Sequence, residues 1–269
     1  MSTSGRVALV TGASSGIGRA TAEALVKAGY RVYGASRSPK PVPGVENLVL
    51  DVTDETSVTA CVDAVLRKAG AIDVLVNNAG VAMIGAIEDS TVAQAKALFE
   101  VNLFGAMRMA RAVLPGMRQR RSGRIINMGS VAGFLPGPFS GLYASSKSAL
   151  ARFSESLDHE VRRMGIRVSV IEPSFTASDI ADNSWTCDSP SPAYGPARQV
   201  YLARFKEEIT GAPRSETVAD VVLEVLRSKT PPVRNPVGSQ AKTLSRLRRF
   251  LPAPTFEGMY RKRFQLDSI

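Results

Sequence analysis

The chain has 269 residues, of which 44% are hydrophobic and 22% charged, and its formal net charge is +10. These values are typical of a soluble globular protein with one substantial core. They argue against a membrane-spanning protein, because no apolar run approaches the ~20 residues that a spanning helix needs. The two isolated cysteines, Cys61 and Cys187, are too few for a disulfide framework. The start of the chain lacks the features of a signal peptide, so we expect a cytoplasmic protein.

Apolar segments of strand length alternate with amphipathic segments along the chain. The predicted strands cover residues 7–12, 31–36, 45–52, 72–80, 123–130 and 166–173, with an edge strand or loop at 231–238. The predicted helices cover residues 17–28, 58–69, 91–117, 142–164 and 215–228. Such alternation predicts an α/β fold with one doubly wound parallel sheet, the Rossmann fold, and helices on both faces. We interpret residues 1–269 as a single domain.

A glycine-rich turn, TGASSGIG, follows the first predicted strand and opens the first predicted helix. Its glycines, Gly12, Gly16 and Gly18, let backbone N–H groups approach a pyrophosphate, and the helix N-terminus stabilises the negative charge. The spacing differs from the usual G-x-G-x-x-G fingerprint. In this strand–turn–helix context we interpret the turn as a dinucleotide-binding site.

Tyr143 precedes Lys147 by four residues in a predicted helix, so the two side chains share one face. A free phenol has a pKa near ~10, and bringing it to neutrality requires roughly 4 kcal/mol. A positive charge ~4 Å away supplies about that much at an effective dielectric constant of ~20. The pair could thus provide a tyrosine that donates or removes a proton as a general acid or base, but this spacing alone is weak evidence and the surrounding motifs must decide.

Together with NNAG at 77–80, Asn102 and Ser130, these motifs resemble the short-chain dehydrogenase/reductase family over about residues 5–175. The segments around 101–117 and 129–157 are especially similar to hydroxysteroid and retinol dehydrogenase-like members. The resemblance implies a catalytic tetrad of Asn102, Ser130, Tyr143 and Lys147. Asn102 would anchor a water that connects Lys147 to solvent, and Ser130 would hold the substrate oxygen.

The same resemblance implies a set of cofactor contacts. In addition to Tyr143 and Lys147, they are Gly12, Ser14, Ser15, Gly16, Ile17, Gly18, Asp51, Val52, Asn78, Ala79, Gly80, Pro173 and Thr176. Asn77 would support the central strand. The family often has Pro-Gly after the sixth strand, where this chain has Pro173-Ser174, and this departure affects the loop conformation.

The second predicted strand ends in GASRSPK, without the acid that bonds the ribose 2′-hydroxyl in NAD-binding proteins. Arg37 takes that place, and a guanidinium can bind a 2′-phosphate with paired bonds. A solvated loop arginine is the alternative. We predict NADP(H) as the cofactor. The single histidine, His159, lies three to four turns beyond Lys147, and we expect no metal site.

Residues 174–217 are rich in proline, serine and glycine, and we predict that they form a substrate lid. The lid carries four bulky apolar residues, namely Phe175, Ile180, Trp185 and Tyr194. An apolar stretch between Ser130 and Tyr143 adds to this lining, which favours a hydrophobic small-molecule substrate. The family resemblance makes a steroid or retinoid the leading hypothesis. A 3-oxoacyl thioester is the second, and a non-catalytic NADP-binding redox sensor is an alternative of another class.

Residues 239–269 form a basic tail, in which Leu244, Leu247 and Leu251 would share one helical face. We expect this tail to pack on its own domain. Contact with a membrane surface is a less favoured alternative, and we expect no nucleic acid partner. The family resemblance also implies a homo-oligomer, either a dimer or a tetramer, formed through helices 101–117 and 143–163.

Overall fold

The computed structural model describes residues 5–177 and 184–263. Their strands are β1 (Val7–Thr11), β2 (Arg31–Ser36), β3 (Val45–Val49), β4 (Val74–Asn77), β5 (Met83–Ile84), β6 (Gly123–Met128), β7 (Ile166–Pro173), β8 (Trp185–Thr186) and β9 (Arg234–Val237). Seven of these strands form a parallel sheet in the order β3-β2-β1-β4-β6-β7-β9, while β5 pairs with β8. The predicted parallel sheet is confirmed, and the segment at 231–238 contains its edge strand.

Helices cover both faces of the sheet. They are α1 (Gly16–Lys27), α2 (Glu55–Ala69), α3 (Val92–Phe99), α4 (Gly105–Gln119), α5 (Gly141–Val161), α6 (Gly195–Thr210), α7 (Ser215–Arg227), α8 (Ser239–Phe250) and α9 (Ala253–Arg263). Leu9 and Leu75 face a core formed with α2, α4 and α5, whereas Val10 and Val76 face a core formed with α1 and α7. The chain reverses its direction of winding between β1 and β4, which opens a crevice at the carboxyl ends of these strands.

The predicted helix over 91–117 is two helices. It begins as expected, because the Thr91 hydroxyl accepts a hydrogen bond from Gln94 N and the Gln94 side chain accepts one from Thr91 N. A wider π turn at Glu100–Phe104 then separates α3 from α4. Such turns often occur at functional sites, and this one contains Asn102.

Two predicted strands end three residues earlier than expected. The segments predicted at 45–52 and 72–80 form β3 and β4, which stop at Val49 and Asn77. The residues beyond these ends lie in loops at the carboxyl edge of the sheet, where the crevice opens. They include Asp51, Val52, Asn78, Ala79 and Gly80.

The predicted lid contains regular structure. Strand β8 and helix α6 occupy much of 184–210, and Ile180 lies outside the described residues. Helix α6 has no buried residue, so it lacks the broad apolar face by which core helices are recognised.

The basic tail forms α8 and α9. It lies against its own domain through Ala241, which is fully buried, and Phe256, which is 3% exposed. Among the described residues, no helix combines the length and apolarity needed to cross a bilayer.

Candidate active site

Side-chain hydrogen bonds hold the ends of β1 and β4 together. Thr11 is buried at the end of β1, and its hydroxyl accepts hydrogen bonds from the backbone N–H groups of Asn78 and Ala79, both at 3.0 Å. The Asn78 amide donates to the carbonyl oxygens of Thr11 and Gly12, both at 3.1 Å. These bonds fix Asn78 and Ala79 beside the glycine turn. The sequence analysis missed Thr11, although a hydroxyl residue directly before the first glycine was a usable signal.

The glycine turn requires glycine for steric reasons. Gly12 and Gly16 have φ angles of +66° and +52°, which residues with side chains rarely adopt. A Cβ atom on Gly18 would lie 2.1 Å from the carbonyl oxygen of Gly12, so this helix start packs directly on the turn. The other predicted residues of the turn are partly exposed, namely Ser14, Ser15 and Ile17.

The N-terminus of α1 is suited to an anion. Ser15 precedes the helix, and within the described residues its side chain makes no capping bond. The first turn of α1 also carries no acidic residue. The N–H groups of this turn are therefore available to a phosphate, which fits the predicted pyrophosphate site.

Arg37 and Asp51 lie at the outer end of the crevice, after β2 and β3. One oxygen of Asp51 accepts hydrogen bonds from the Thr53 backbone N–H at 2.9 Å and from the Thr53 hydroxyl at 2.7 Å. These bonds lower the pKa of Asp51, and the positive charge of Arg37 adds to the effect. Val52 packs against Gly105, where a Cβ would lie 2.7 Å from Val52 Cγ2. Arg37 itself is exposed at the edge of the crevice.

Three of the predicted catalytic side chains converge beside the crevice. Ser130 follows β6, and its side chain is hydrogen-bonded to Tyr143 in the first turn of α5. Lys147 lies one turn further on and is only 6% exposed. Its Nζ donates to the carbonyl oxygen of Met128 at 2.8 Å and lies 5.8 Å from the centroid of the Tyr143 ring. The sequence spacing therefore places both groups on one side of α5.

Burial dominates the electrostatics of this pair. It raises the pKa of Tyr143; the hydrogen bond with Ser130 opposes that rise, and the nearby Tyr201 phenol adds to it. Burial also lowers the pKa of the Lys147 ammonium to about 8. The charge of Lys147 alone would lower the pKa of Tyr143, as the spacing predicts, but desolvation of both groups outweighs this effect. In this structure the phenol of Tyr143 is less acidic than a free one.

Asn102 connects the β4–β5 loop to α5. Its amide nitrogen donates to the carbonyl oxygen of Val81 at 2.9 Å and to the hydroxyl of Ser146 at 3.0 Å. Its amide oxygen accepts from Val81 N at 2.9 Å. Both amide hydrogens are therefore used within the protein. A Cβ atom on Gly80 would lie 3.1 Å from Asn102 Oδ1 and 3.3 Å from Lys147 Nζ, so this loop passes close to both side chains.

A cavity of about 440 Å³ adjoins the predicted catalytic side chains. Ser130, Tyr143 and Lys147 lie in its wall together with the predicted residues Pro173 and Thr176. The Thr176 hydroxyl donates to the carbonyl oxygen of Ser174 at 3.2 Å. The helices α6, α8 and α9 complete the lining, mostly with apolar and aromatic side chains.

The family model for short chain dehydrogenases matches residues 6–188. The chain belongs to this family. It is 37% identical over 245 residues to a 3-ketodihydrosphingosine reductase from Bacteroides thetaiotaomicron, covering 89% of this chain and 90% of that protein. It is 37% identical over 188 residues to a 3-oxoacyl-(acyl-carrier-protein) reductase from Salmonella typhimurium, covering 67% and 77%. A short-chain dehydrogenase structure from Streptomyces avermitilis matches with a TM-score of 0.80 and 35% identity, covering 97% of this chain and 99% of that one.

As a short-chain dehydrogenase, the protein is an oxidoreductase of a family that binds nicotinamide cofactors. The glycine turn fits such a group, because in the part of the chain that the structure describes the first turn of α1 has neither a capping side chain nor an acidic residue to compete with a phosphate for its N–H groups.

The cavity of this short-chain dehydrogenase includes aromatic residues that the sequence analysis missed. Tyr201 on α6 stacks on Phe205, with ring centroids 5.9 Å apart, and contacts Phe139 at 5.7 Å. Burial raises the pKa of Tyr201, and a hydrogen bond with Ser140 opposes this. Tyr260 on α9 reaches the carbonyl oxygen of Leu135 at 3.5 Å. The four-residue spacing of Tyr201 and Phe205 was the available signal, but their helix was not predicted.

Lys147 gives the stability of the cofactor-free protein a defined pH dependence. Its pKa is about 8 in the folded protein and 10.5 for an ordinary lysine. Between these values the unfolded state binds more protons, so the contribution of Lys147 to stability rises with pH. Relative to Lys147→Met, which cannot titrate, the free energy of unfolding of the wild type should rise by roughly 2 kcal/mol between about pH 7 and about pH 10.

Urea denaturation of both proteins at the two pH values measures this difference. Lys27→Met, which removes an exposed lysine at the end of α1, serves as the control and should show a difference of less than about 0.5 kcal/mol. A wild type that shows no pH-dependent gain over Lys147→Met would mean that the Lys147 ammonium is not desolvated.

Proposed function

We propose that this short-chain dehydrogenase reduces the ketone of a long-chain, lipophilic substrate with NADPH. The observation that carries the proposal is the Ser130–Tyr143–Lys147 cluster in the wall of an apolar cavity. A cavity of this size with a few polar groups at one place orients a largely apolar ligand by its polar end.

In the proposed reaction, NADPH supplies the hydride when bound. The Tyr143 hydroxyl donates a proton to the carbonyl oxygen, and the Ser130 hydroxyl holds that oxygen by a hydrogen bond. The buried Lys147 ammonium stabilises the phenolate that forms, as does the positive end of the helix dipole, because Tyr143 is in the first turn of α5. Asn102 acts as a positioning residue, since its bonds fix the loop that contains Gly80 beside Lys147.

The cofactor would bind along the predicted residues of the crevice. The glycine turn would hold the pyrophosphate, Asp51 and Val52 would contact the adenine, and Lys147 would bond the nicotinamide ribose. Arg37 would bind the 2′-phosphate that distinguishes NADP(H) from NAD(H). The exposed position of Arg37 after β2, next to the strand that bears the glycine turn, supports this preference.

The substrate class is supported by the cavity and by the relatives. The match to the 3-ketodihydrosphingosine reductase covers 89% of this chain, whereas the match to the 3-oxoacyl-(acyl-carrier-protein) reductase covers 67%. We therefore rank a long-chain 3-keto lipid first and a 3-oxoacyl thioester second. The steroid or retinoid substrate stays a prediction. The redox-sensor alternative is disfavoured, because a sensor does not need the Ser130, Tyr143 and Lys147 assembly.

A homo-oligomer and a cytoplasmic location also stay predictions. For the oligomer, α4 offers an apolar contact, since Phe104 at its start is 40% exposed and Met107 is 39% exposed.

NADPH absorbance with a panel of ketones tests the function. We expect turnover of a long-chain 3-keto lipid in the wild type, and a turnover number at least ~100-fold lower in Tyr143→Phe because the proton donor is lost. Cofactor affinity should change less than about twofold. Tyr30→Phe, at the opposite edge of the sheet, is the control. Reduction of acyl thioesters or steroids but not of the keto lipid would show that the proposed substrate class is wrong. A fully active Tyr143→Phe would refute the mechanism.

The cofactor preference is tested by Arg37→Asp. Loss of the charge-assisted bonds should lower kcat/KM for NADPH relative to NADH by about 10- to 100-fold. Lys27→Asp makes the same change of charge far from the crevice and should leave the ratio within about twofold. A wild type that prefers NADH, or a ratio that is unchanged in Arg37→Asp, would assign the protein to NAD(H).

A further inference from the structure

Helix α8 has two different faces. At ~100° per residue, Ala241 and Leu244 point toward the domain, where both contribute to the wall of the cavity. Lys242, Arg246 and Arg249 project from the opposite side within about a quarter of a turn of one another. The expectation that the tail packs on its domain therefore describes only one face of this helix.

The outer face carries positive charges that are not paired with acidic side chains of the described residues. Helix α8 has four basic residues and no acid in 12 residues. Lys242, Arg246 and Arg249 are exposed, and none of them forms an ion pair within the described part of the chain. Three uncompensated cations on one face attract a polyanionic surface more strongly than dispersed charges do.

A large apolar side chain lies on the same face. Phe250 is 77% exposed, and the Arg249 guanidinium lies 5.8 Å from the centroid of its ring. An exposed aromatic ring among cations is the composition of helices that lie in the headgroup region of a bilayer. Nucleic acid or an acidic protein would use the cations but would not require this ring to leave water.

We propose that the outer face of α8, formed by Lys242, Arg246, Arg249 and Phe250, docks the protein on an anionic lipid surface. The cations would bind lipid phosphates and Phe250 would enter the interface. Because the inner face of the same helix lines the cavity, docking would hold that cavity beside the phase in which a lipophilic substrate dissolves. The binding itself does not depend on the proposed catalytic function.

Sedimentation with vesicles tests the docking without substrate or cofactor. The full chain is compared on phosphatidylglycerol–phosphatidylcholine vesicles and on phosphatidylcholine vesicles. We expect binding to the anionic vesicles that weakens with salt. Combined replacement of Lys242, Arg246 and Arg249 by Gln should weaken this binding by about 100-fold, and Phe250→Ser by about tenfold.

Two matched controls separate the face from the overall charge. Arg248→Gln alters a cation of the same helix that is directed toward the Phe256 ring, 5.5 Å from its centroid, and should change binding by less than about threefold. Combined replacement of Lys27, Arg67 and Lys229 by Gln removes three exposed cations from the ends of other helices and should also change it by less than about threefold. Thermal unfolding checks that every variant is folded.

Three results would overturn the assignment. The first is equal binding to both kinds of vesicle. The second is a loss in the control triple variant that equals the loss in the α8 variant. The third is full displacement by duplex DNA together with no effect of Phe250→Ser, which would make the face a general polyanion site. If the α8 triple variant does not fold, Phe250→Ser decides, and its unchanged binding refutes the proposal.

Discussion

The candidate site depends on one buried ammonium group. Lys147 reaches the end of β6 through its hydrogen bond to Met128, and this bond fixes the start of α5, with Tyr143, beside Ser130. A Cβ atom on Gly80 would lie 3.3 Å from the same nitrogen, so the loop after β4 passes close to it. An ammonium that is held out of water loses part of its hydration, which lowers its pKa and makes any developing negative charge nearby more favourable. The fold thus places a poorly hydrated cation next to Tyr143, the proposed proton donor.

Much of this arrangement is readable from the sequence, because it depends on local spacing. The glycine turn, the strand ends and the four-residue interval between Tyr143 and Lys147 each constrain nearby residues, and the parallel sheet brings their segments to one edge. The features that were missed depend on distant contacts. The π turn contains Asn102, whose side chain bonds to Val81, and no local pattern indicates that bond. The acidity of Tyr143 was judged from charge alone, because burial cannot be read from a single helix.

The C-terminal third shows a second limit of sequence reasoning. Helix α6 covers the cavity with partly buried side chains, so it has no fully buried face, and the four-residue spacing of Tyr201 and Phe205 was too short a signal to predict it. In α8 the leucine spacing predicted a face that packs on the domain, and packing and surface contact were treated as alternatives. The structure shows that one helix offers an apolar wall to the cavity and a row of cations to the solvent. Helix α8 therefore contributes both to the wall of the lipophilic cavity and to the positively charged surface.

The central claim is that the Lys147 ammonium, together with the positive charge of a bound oxidised nicotinamide, lowers the pKa of Tyr143 against the opposing effect of burial. Carbon-13 NMR of ring-labelled tyrosine measures it directly, with the signal identified by its loss in a Tyr143→Phe variant. We predict a pKa of Tyr143 above the ordinary value of ~10 in the free protein and below that value with NADP⁺ bound. The decrease should be much smaller in Lys147→Met. A pKa that does not move on binding, or that moves equally without Lys147, would contradict the account.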